Sequence, residues 1–232
     1  MLFRQLFDHD SYTYTYLIAD EASGEAALID PVDIHTDMYL RLLDELELKL
    51  VVALDTHVHA DHITALGPLR EAVGCTTMVG FEGEVDCATE GLTDGKLIPV
   101  GVITINTLYT PGHTNDSFCF VVEENGHTYL FSGDTLFIRG TGRTDFQNGD
   151  PGDLYDSLTK KVLTLPGETL VYPGHDYKGW TMSTIAEEIK ANPRLEPETR
   201  EAFIELMNNL KLADPKMMDV AVPANRACGL RK

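Results

Sequence analysis

Positive charge is scarce in this chain. Its 232 residues carry 18 Lys and Arg against 37 Asp and Glu, a formal net charge of -19. Nucleic acids and anionic membrane surfaces are recognised through a basic footprint, so neither is expected as a partner. A small anionic ligand held by a few local arginines stays open. Long hydrophobic runs are also missing. No stretch approaches the roughly 18 apolar residues that span a bilayer, and Met1 to Ile18 has no signal-peptide pattern. Cysteine is limited to Cys75, Cys87, Cys119 and Cys228, without a Cys-x-x-Cys pair. In a chain of this length with no secretion signal, all four read as reduced thiols. The expected compartment is the cytoplasm, or the mitochondrial matrix if a presequence has been removed. Low-complexity tracts and internal repeats are absent. The composition, 43% hydrophobic and 24% charged, is that of a globular protein with a real core.

What is present is a regular exchange of strand and helix signals. Tyr12 to Tyr16 alternates aromatic and β-branched residues and predicts a strand, returned through the Ser23-Gly24 turn by a second over 26–29. Met38, Leu42, Leu43 and Leu46 recur at helical spacing within 36–48, and the apolar run Leu50 to Leu54 continues the chain as a buried strand. A helix over 63–73 ends at Gly74, and a short strand is expected over 76–79. The acidic section 82–95 reads as irregular. Strands are expected over 97–100 and 102–108, then over 118–122 and 128–131 about the Glu124-Asn125-Gly126 hairpin turn. Helices over 153–163, 181–190 and 198–210, with a strand over 169–172, complete the pattern before an irregular tail to Lys232.

Chemistry concentrates at Thr56-His57-Val58-His59-Ala60-Asp61-His62, immediately after the buried strand. A lone histidine is usually structural. Three imidazoles and a carboxylate within seven residues, on a loop that must be partly dry, call for a cation. Three further strand ends deliver a metal-capable group beside a glycine: Gly112-His113, Gly133-Asp134 and Gly174-His175. Scattered turns are the bland reading. Four successive strand ends instead imply one shared mouth at a sheet edge.

This arrangement resembles the metallo-β-lactamase superfamily, whose α/β fold is an αββα sandwich with the metal between the edges of two sheets. Three segments narrow the likeness to the persulfide dioxygenases: Thr56 to Thr64, Ile138 to Gln147, and the tail Val222-Pro223-Ala224-Asn225. The resemblance covers nearly the whole chain. It implies a single domain over 1–232 with a short C-terminal helical extension (about 196–232). It also implies one Fe(II) per chain on His57, His113 and Asp134, a ligand set that leaves about three metal positions open. The implied reaction takes glutathione persulfide, O2 and water to sulfite and glutathione. His59, Asp61, His62 and His175 then become supports that orient the ligands, although the same four side chains can hold a second metal. Arg143 and Tyr177, with Arg226 from the tail, are the expected glutathione contacts. The bland alternative for Arg143 is a loop-bracing ion pair with Asp145 or Asp176. Cys228 reads as a buried, inert thiol. Pairing as a homodimer is common in such a family, but no stretch here marks an interface.

The main rival is a glyoxalase II-type hydrolase of glutathione thioesters, with two metals bridged by Asp134. It accounts for the histidines equally well. It accounts less well for the short chain after Leu195, where such thioesterases carry a longer helical domain. A non-catalytic metal or redox-sensing module would be favoured by loss of one of His57, His113 and Asp134, and all three are present. A nuclease is disfavoured by the net charge.

Overall fold

Alternating side chains along two sets of strands sort the hydrophobic residues into three stacked cores. The computed structural model describes residues 1–85, 87–213 and 217–230. One sheet places β1 (Leu2–Phe7), β2 (Tyr14–Ala19), β3 (Glu25–Ile29), β4 (Lys49–Leu54), β5 (Thr76–Gly80) and β6 (Glu90–Leu92) side by side in chain order. The other places β7 (Leu97–Val100), β8 (Ile103–Tyr109), β9 (Phe118–Glu124), β10 (His127–Gly133), β11 (Leu170–Pro173) and β12 (Ser183–Thr184) likewise. The second sheet is mostly antiparallel, whereas in the first only β1–β2 and β2–β3 pair antiparallel. Most parallel pairs arise where a helix crosses over: α1 (Thr36–Glu45) between β3 and β4, α2 (Leu66–Val73) between β4 and β5, and α3 (Pro151–Lys160) between β10 and β11; β5 and β6 also pair in parallel, without an α-helix between them.

Successive strand residues point to opposite faces. Tyr16, Ile18, Ile29, Val52 and Leu54 therefore meet Ile105, Phe118, Phe120, Val122 and Phe131 between the sheets. Leu17, Leu28, Leu50 and Ala53 face the other way, onto Tyr39 and Leu43 of α1 and Leu66 and Leu69 of α2. On the far side, Cys119, Val121 and Leu130 pack against Leu154 and Leu158 of α3, Ile185 of α4 (Ile185–Ala191), and Phe203 and Met207 of α5 (Arg200–Asn208). The result is the expected αββα sandwich. None of the described helices is long and apolar enough to cross a membrane.

Several local expectations differ from the structure. The β1 strand carries no clear sequence signal because both of its faces are partly buried, which hides the period-2 pattern. The first predicted strand begins at Tyr14 rather than Tyr12, because Thr13 turns toward the histidine loop. The helix expected from Ile63 begins at Leu66, since Thr64 is held in that same loop. The section read as irregular contains β6, and Asp86 within it lies outside the described residues. The tail is not irregular throughout: it forms α6 (Met218–Arg226), while residues 214–216 and 231–232 lie outside the described residues.

The cysteine reading also needs correction. Cys87 and Cys228 form a disulfide across 141 residues, with Cα atoms 5.9 Å apart. Only the return of the chain after α6 creates that proximity, and sequence spacing carries no trace of it. Cys228 is buried as expected but is not a free thiol. Cys75 and Cys119 are free and buried.

Candidate metal centre

The site lies where strands of both sheets end at the same edge. The loop after β4 carries His57, His59, Asp61 and His62. Those after β8, β10 and β11 carry His113, Asp134 and His175. Backbone bonds stitch the two sheets together here: Phe118 N–H donates to the Thr56 carbonyl, and Tyr14 N–H to that of Gly174, both at 2.8 Å. Gly133 is required twice over. Its φ is +48°, and a Cβ there would lie 2.7 Å from Thr56 Oγ1.

His57, His113 and Asp134 each offer one ligand atom, all within 4.8 Å of one another. Hydrogen bonding decides which atoms these are. The Thr56 hydroxyl donates to Asp30 Oδ2 at 3.0 Å. Its one proton is then committed, so it accepts from His57 Nδ1–H at 3.0 Å. His113 Nδ1 lies 2.7 Å from the Arg143 carbonyl, which can only accept. Both rings therefore carry their lone pair on Nε2, toward the cluster. Burial, with His59 and His113 nearby, pushes the His57 pKa well below the ordinary imidazole value, which keeps the ring in its ligand form.

Asp134 Oδ1 accepts from His175 Nδ1–H at 2.6 Å, and Asp134 Oδ2 lies 3.5 Å from His113 Nε2. His175 donates its other proton to Asp61 Oδ2 at 2.9 Å. With two carboxylates accepting, both ring nitrogens carry protons. Burial would push the His175 pKa down, but Asp134 and Asp61 together hold it well above the usual range. Likewise burial alone would raise Asp134 and Asp61, and the His175 charge more than offsets it, holding both below the ordinary carboxylate value.

A second cluster adjoins the first. His59, Asp61 and His62 also bring one ligand atom each within 4.8 Å. His59 uses Nε2 on Asp30 Oδ1 at 3.1 Å, and His62 uses Nδ1 on Asp61 Oδ2 at 2.9 Å. Their remaining nitrogens, His59 Nδ1 and His62 Nε2, are buried without a hydrogen-bond partner. Burial opposes charge on His59, yet Asp30, Asp55 and Asp61 raise its pKa to about 9. The carboxylates here favour one positive charge, which a proton or a cation can supply.

Among the described residues, two cavities open from the cluster of His57, His113 and Asp134. The inner one, about 190 Å³, is lined by His57, Asp61, His113, Asp134, Arg143 and Tyr177. An outer one of about 430 Å³ shares His113, Asp134, Arg143 and Tyr177 and adds Arg139, Lys178 and Arg194. Arg143 is braced as well as placed: it holds both carboxylate oxygens of Asp145 at 2.6 and 2.8 Å, donates to the Ala213 carbonyl at 2.6 Å, and lies 4.4 Å over the Phe146 ring. Tyr177 is exposed and stacks on His175 at 6.2 Å between centroids. Arg226 lines neither cavity. It is exposed and borders a separate recess of about 40 Å³ with Val58, Asp116 and Gln147.

Three site residues escape a reading of the sequence. Thr13 Oγ1 sits 3.1 to 3.2 Å from Asp61, His62 and His175; in the sequence it is one more β-branched strand residue. Asp30 anchors Thr56 and His59, and its only advertisement is a turn-like Asp30-Pro31 pair. Asn225 belongs to a tail motif that by itself gives it no role. Its side chain reaches the histidine loop.

The family model described as "Metallo-beta-lactamase superfamily" matches residues 10–175. The chain is 45% identical over 232 residues to human "Persulfide dioxygenase ETHE1, mitochondrial", covering 100% of this chain and 90% of that protein. The crystal structure of ETHE1 from Myxococcus xanthus superposes with a TM-score of 0.95 at 53% identity, covering 99% of this chain and 100% of that one. A probable hydroxyacylglutathione hydrolase from Schizosaccharomyces pombe is more distant, 33% identical over 71% of this chain and 64% of its own length. The chain belongs to the metallo-β-lactamase superfamily and, within it, to the persulfide dioxygenase family.

Proposed function

We propose that this protein is an Fe(II)-dependent persulfide dioxygenase, with one iron per chain on His57, His113 and Asp134, that oxidises glutathione persulfide with O2 and water to sulfite and glutathione. The observation that carries the reading is the pair of fixed tautomers. Thr56 and the Arg143 carbonyl each occupy a histidine Nδ1–H, so both Nε2 lone pairs meet an Asp134 oxygen within one small cluster. Two neutral imidazoles and one carboxylate are the donor set of non-haem iron oxygenases. Bound there, iron supplies the redox chemistry that joins O2 to sulfur, which zinc does not.

The protein's own groups hold the geometry. His175, clamped between Asp134 and Asp61, fixes the carboxylate plane and keeps Oδ2 turned inward. Thr13 holds Asp61 and His62 from the other side. Glutathione carries two carboxylates, and the outer cavity offers Arg143 to one of them, with exposed Asp145 as the counter-ion to be exchanged. Tyr177 forms a wall shared by both cavities. Arg226 lines neither cavity and is left out of the proposal.

A dinuclear hydrolase of glutathione thioesters is the second reading. It is supported by the two unpartnered nitrogens of His59 and His62 beside Asp61. Anaerobic purification, metal analysis, and oxygen uptake with glutathione persulfide separate the two. About one iron per chain, with O2 consumed and sulfite formed, supports the dioxygenase. Two zincs per chain and thioester hydrolysis without O2 uptake overturn it.

A further inference from the structure

The tail of the chain closes onto the histidine loop through one buried side chain. Asn225, 3% exposed, donates from Nδ2 to the carbonyls of His59 and His62 at 2.8 Å each, and its Oδ1 accepts from Thr64 N–H at 2.8 Å. Two carbonyls and one N–H leave the amide a single orientation. Without it, three backbone groups of a buried loop would lose a partner.

The turn C-terminal to Asn225 holds it in place. The Cys228 carbonyl accepts from Gly67 N–H at 2.8 Å, at the start of α2. The approach is so close that a Cβ on Gly67 would lie 2.5 Å from that carbonyl, and one on Gly229 would lie 2.0 Å from the Thr64 carbonyl. The Cys87–Cys228 disulfide then ties this turn to the segment before β6. Cys87 is half-buried and lines an open cavity of about 650 Å³ with Pro68, Glu71, Ala227 and Gly229. A small thiol can reach the bridge from there.

We propose that Asn225 is a positioning residue for the metal-binding loop, and that the Cys87–Cys228 disulfide is the latch that keeps it seated, so that low-molecular-weight thiols loosen the loop. The chemistry balances as thiol–disulfide exchange. A thiolate attacks one bridge sulfur, forming a mixed disulfide and expelling the other cysteine as a thiolate. A second thiol attacks the mixed disulfide and releases the remaining cysteine. Two thiols lose two electrons as RSSR, and the bridge gains them as two cysteine thiols. Only the role given to the loop in metal binding rests on the proposed function, and order in the loop can be read without turnover.

The test is amide hydrogen exchange of the full, metal-free chain, with Fe(II) release to a chelator as a second readout on the loaded protein. Wild type is compared before and after dithiothreitol, together with Cys87→Ser, Asn225→Ala and Asn225→Asp. In Asn225→Ala, residues 59–64 are expected to exchange roughly ten- to a hundredfold faster, the range for losing buried hydrogen bonds, while β8 to β10 stay protected. Asn225→Asp keeps the acceptor for Thr64 N–H, so that amide should stay more protected than in Asn225→Ala while the rest of the loop opens. Reduced wild type and Cys87→Ser should both open 59–64 and 218–226, and dithiothreitol should have no further effect on Cys87→Ser. Fe(II) release should quicken in the same order. Unchanged exchange at 59–64 in both Asn225 variants overturns the positioning role. Reduction that exposes two new thiols yet leaves 59–64 protected overturns the latch. Should Asn225→Ala fail to fold, reduced wild type and Asn225→Asp decide by the same criteria.

Discussion

Replacing Thr56 by Val tests the claim that a hydroxyl, rather than the metal, selects the His57 tautomer. Valine keeps the β-branched shape beside Gly133 and removes the oxygen. Two hydrogen bonds of 3.0 Å disappear. Asp30 Oδ1 still accepts from the backbone N–H of residue 56 at 2.7 Å and from His59 Nε2 at 3.1 Å, while its Oδ2 gives up the hydroxyl. The loss that bears on the metal falls on His57 Nδ1–H, left unpaired in a buried site at a cost of about 1–3 kcal/mol. The ring can escape by carrying its proton on Nε2 instead, but that removes the lone pair from the metal. By either route Fe(II) or Co(II) affinity should fall about 10- to 100-fold. Competition against a chelator of known affinity under anaerobic conditions measures this, with Thr56→Ser as the control that restores the oxygen. Wild-type affinity in Thr56→Val would refute the tautomer argument, whatever happened to stability.

Other expectations concern the remaining site residues and the cysteines. His62→Ala should retain about one iron per chain, whereas Asp134→Ala should weaken binding by more than about tenfold; equal losses in metal analysis would move His62 into the ligand set. Burial pushes the Asp55 carboxyl up to about 8, partly opposed by His59. Folded Asp55 thus keeps a proton that the unfolded chain releases near pH 4, and stability of the metal-free protein should fall as pH rises from about 4 to 8. Asp55→Asn keeps an acceptor for Thr64 Oγ1 and should flatten that decline; thermal unfolding curves of equal slope in variant and wild type would count against it. Burial also pushes the Cys75 and Cys119 thiols up to about 11, so neither should react with a chromogenic disulfide reagent at neutral pH in the native protein. Denaturation without reductant should expose the two free thiols, and prior reduction all four cysteines. Four reactive thiols without reduction would remove the disulfide.

Much of the fold is legible because hydrophobic period is a local property. The run Leu50 to Leu54, the Asn125-Gly126 turn and the helical spacing of Met38, Leu42 and Leu46 each declare their element within a few residues, and the structure agrees. Where burial is two-sided, as in β1, the period vanishes and so does the signal. The four strand-end motifs of the site are legible for a related reason: crowded imidazoles and carboxylates are costly unless they share a purpose, and glycine beside them marks tight turns.

By itself, the sequence determined which residues can meet a metal, the layered α/β class, and the exclusion of a strongly basic surface. Tertiary structure alone decided the rest. It paired Cys87 with Cys228, carried Asn225 back to the carbonyls of His59 and His62, placed Thr13 among Asp61, His62 and His175, and left Arg226 outside the cavity. The physical reason is common to all four. Hydrogen bonds and disulfides are formed over a few ångströms between groups that can lie more than a hundred residues apart, and only the packing of the two sheets with their helices sets those distances.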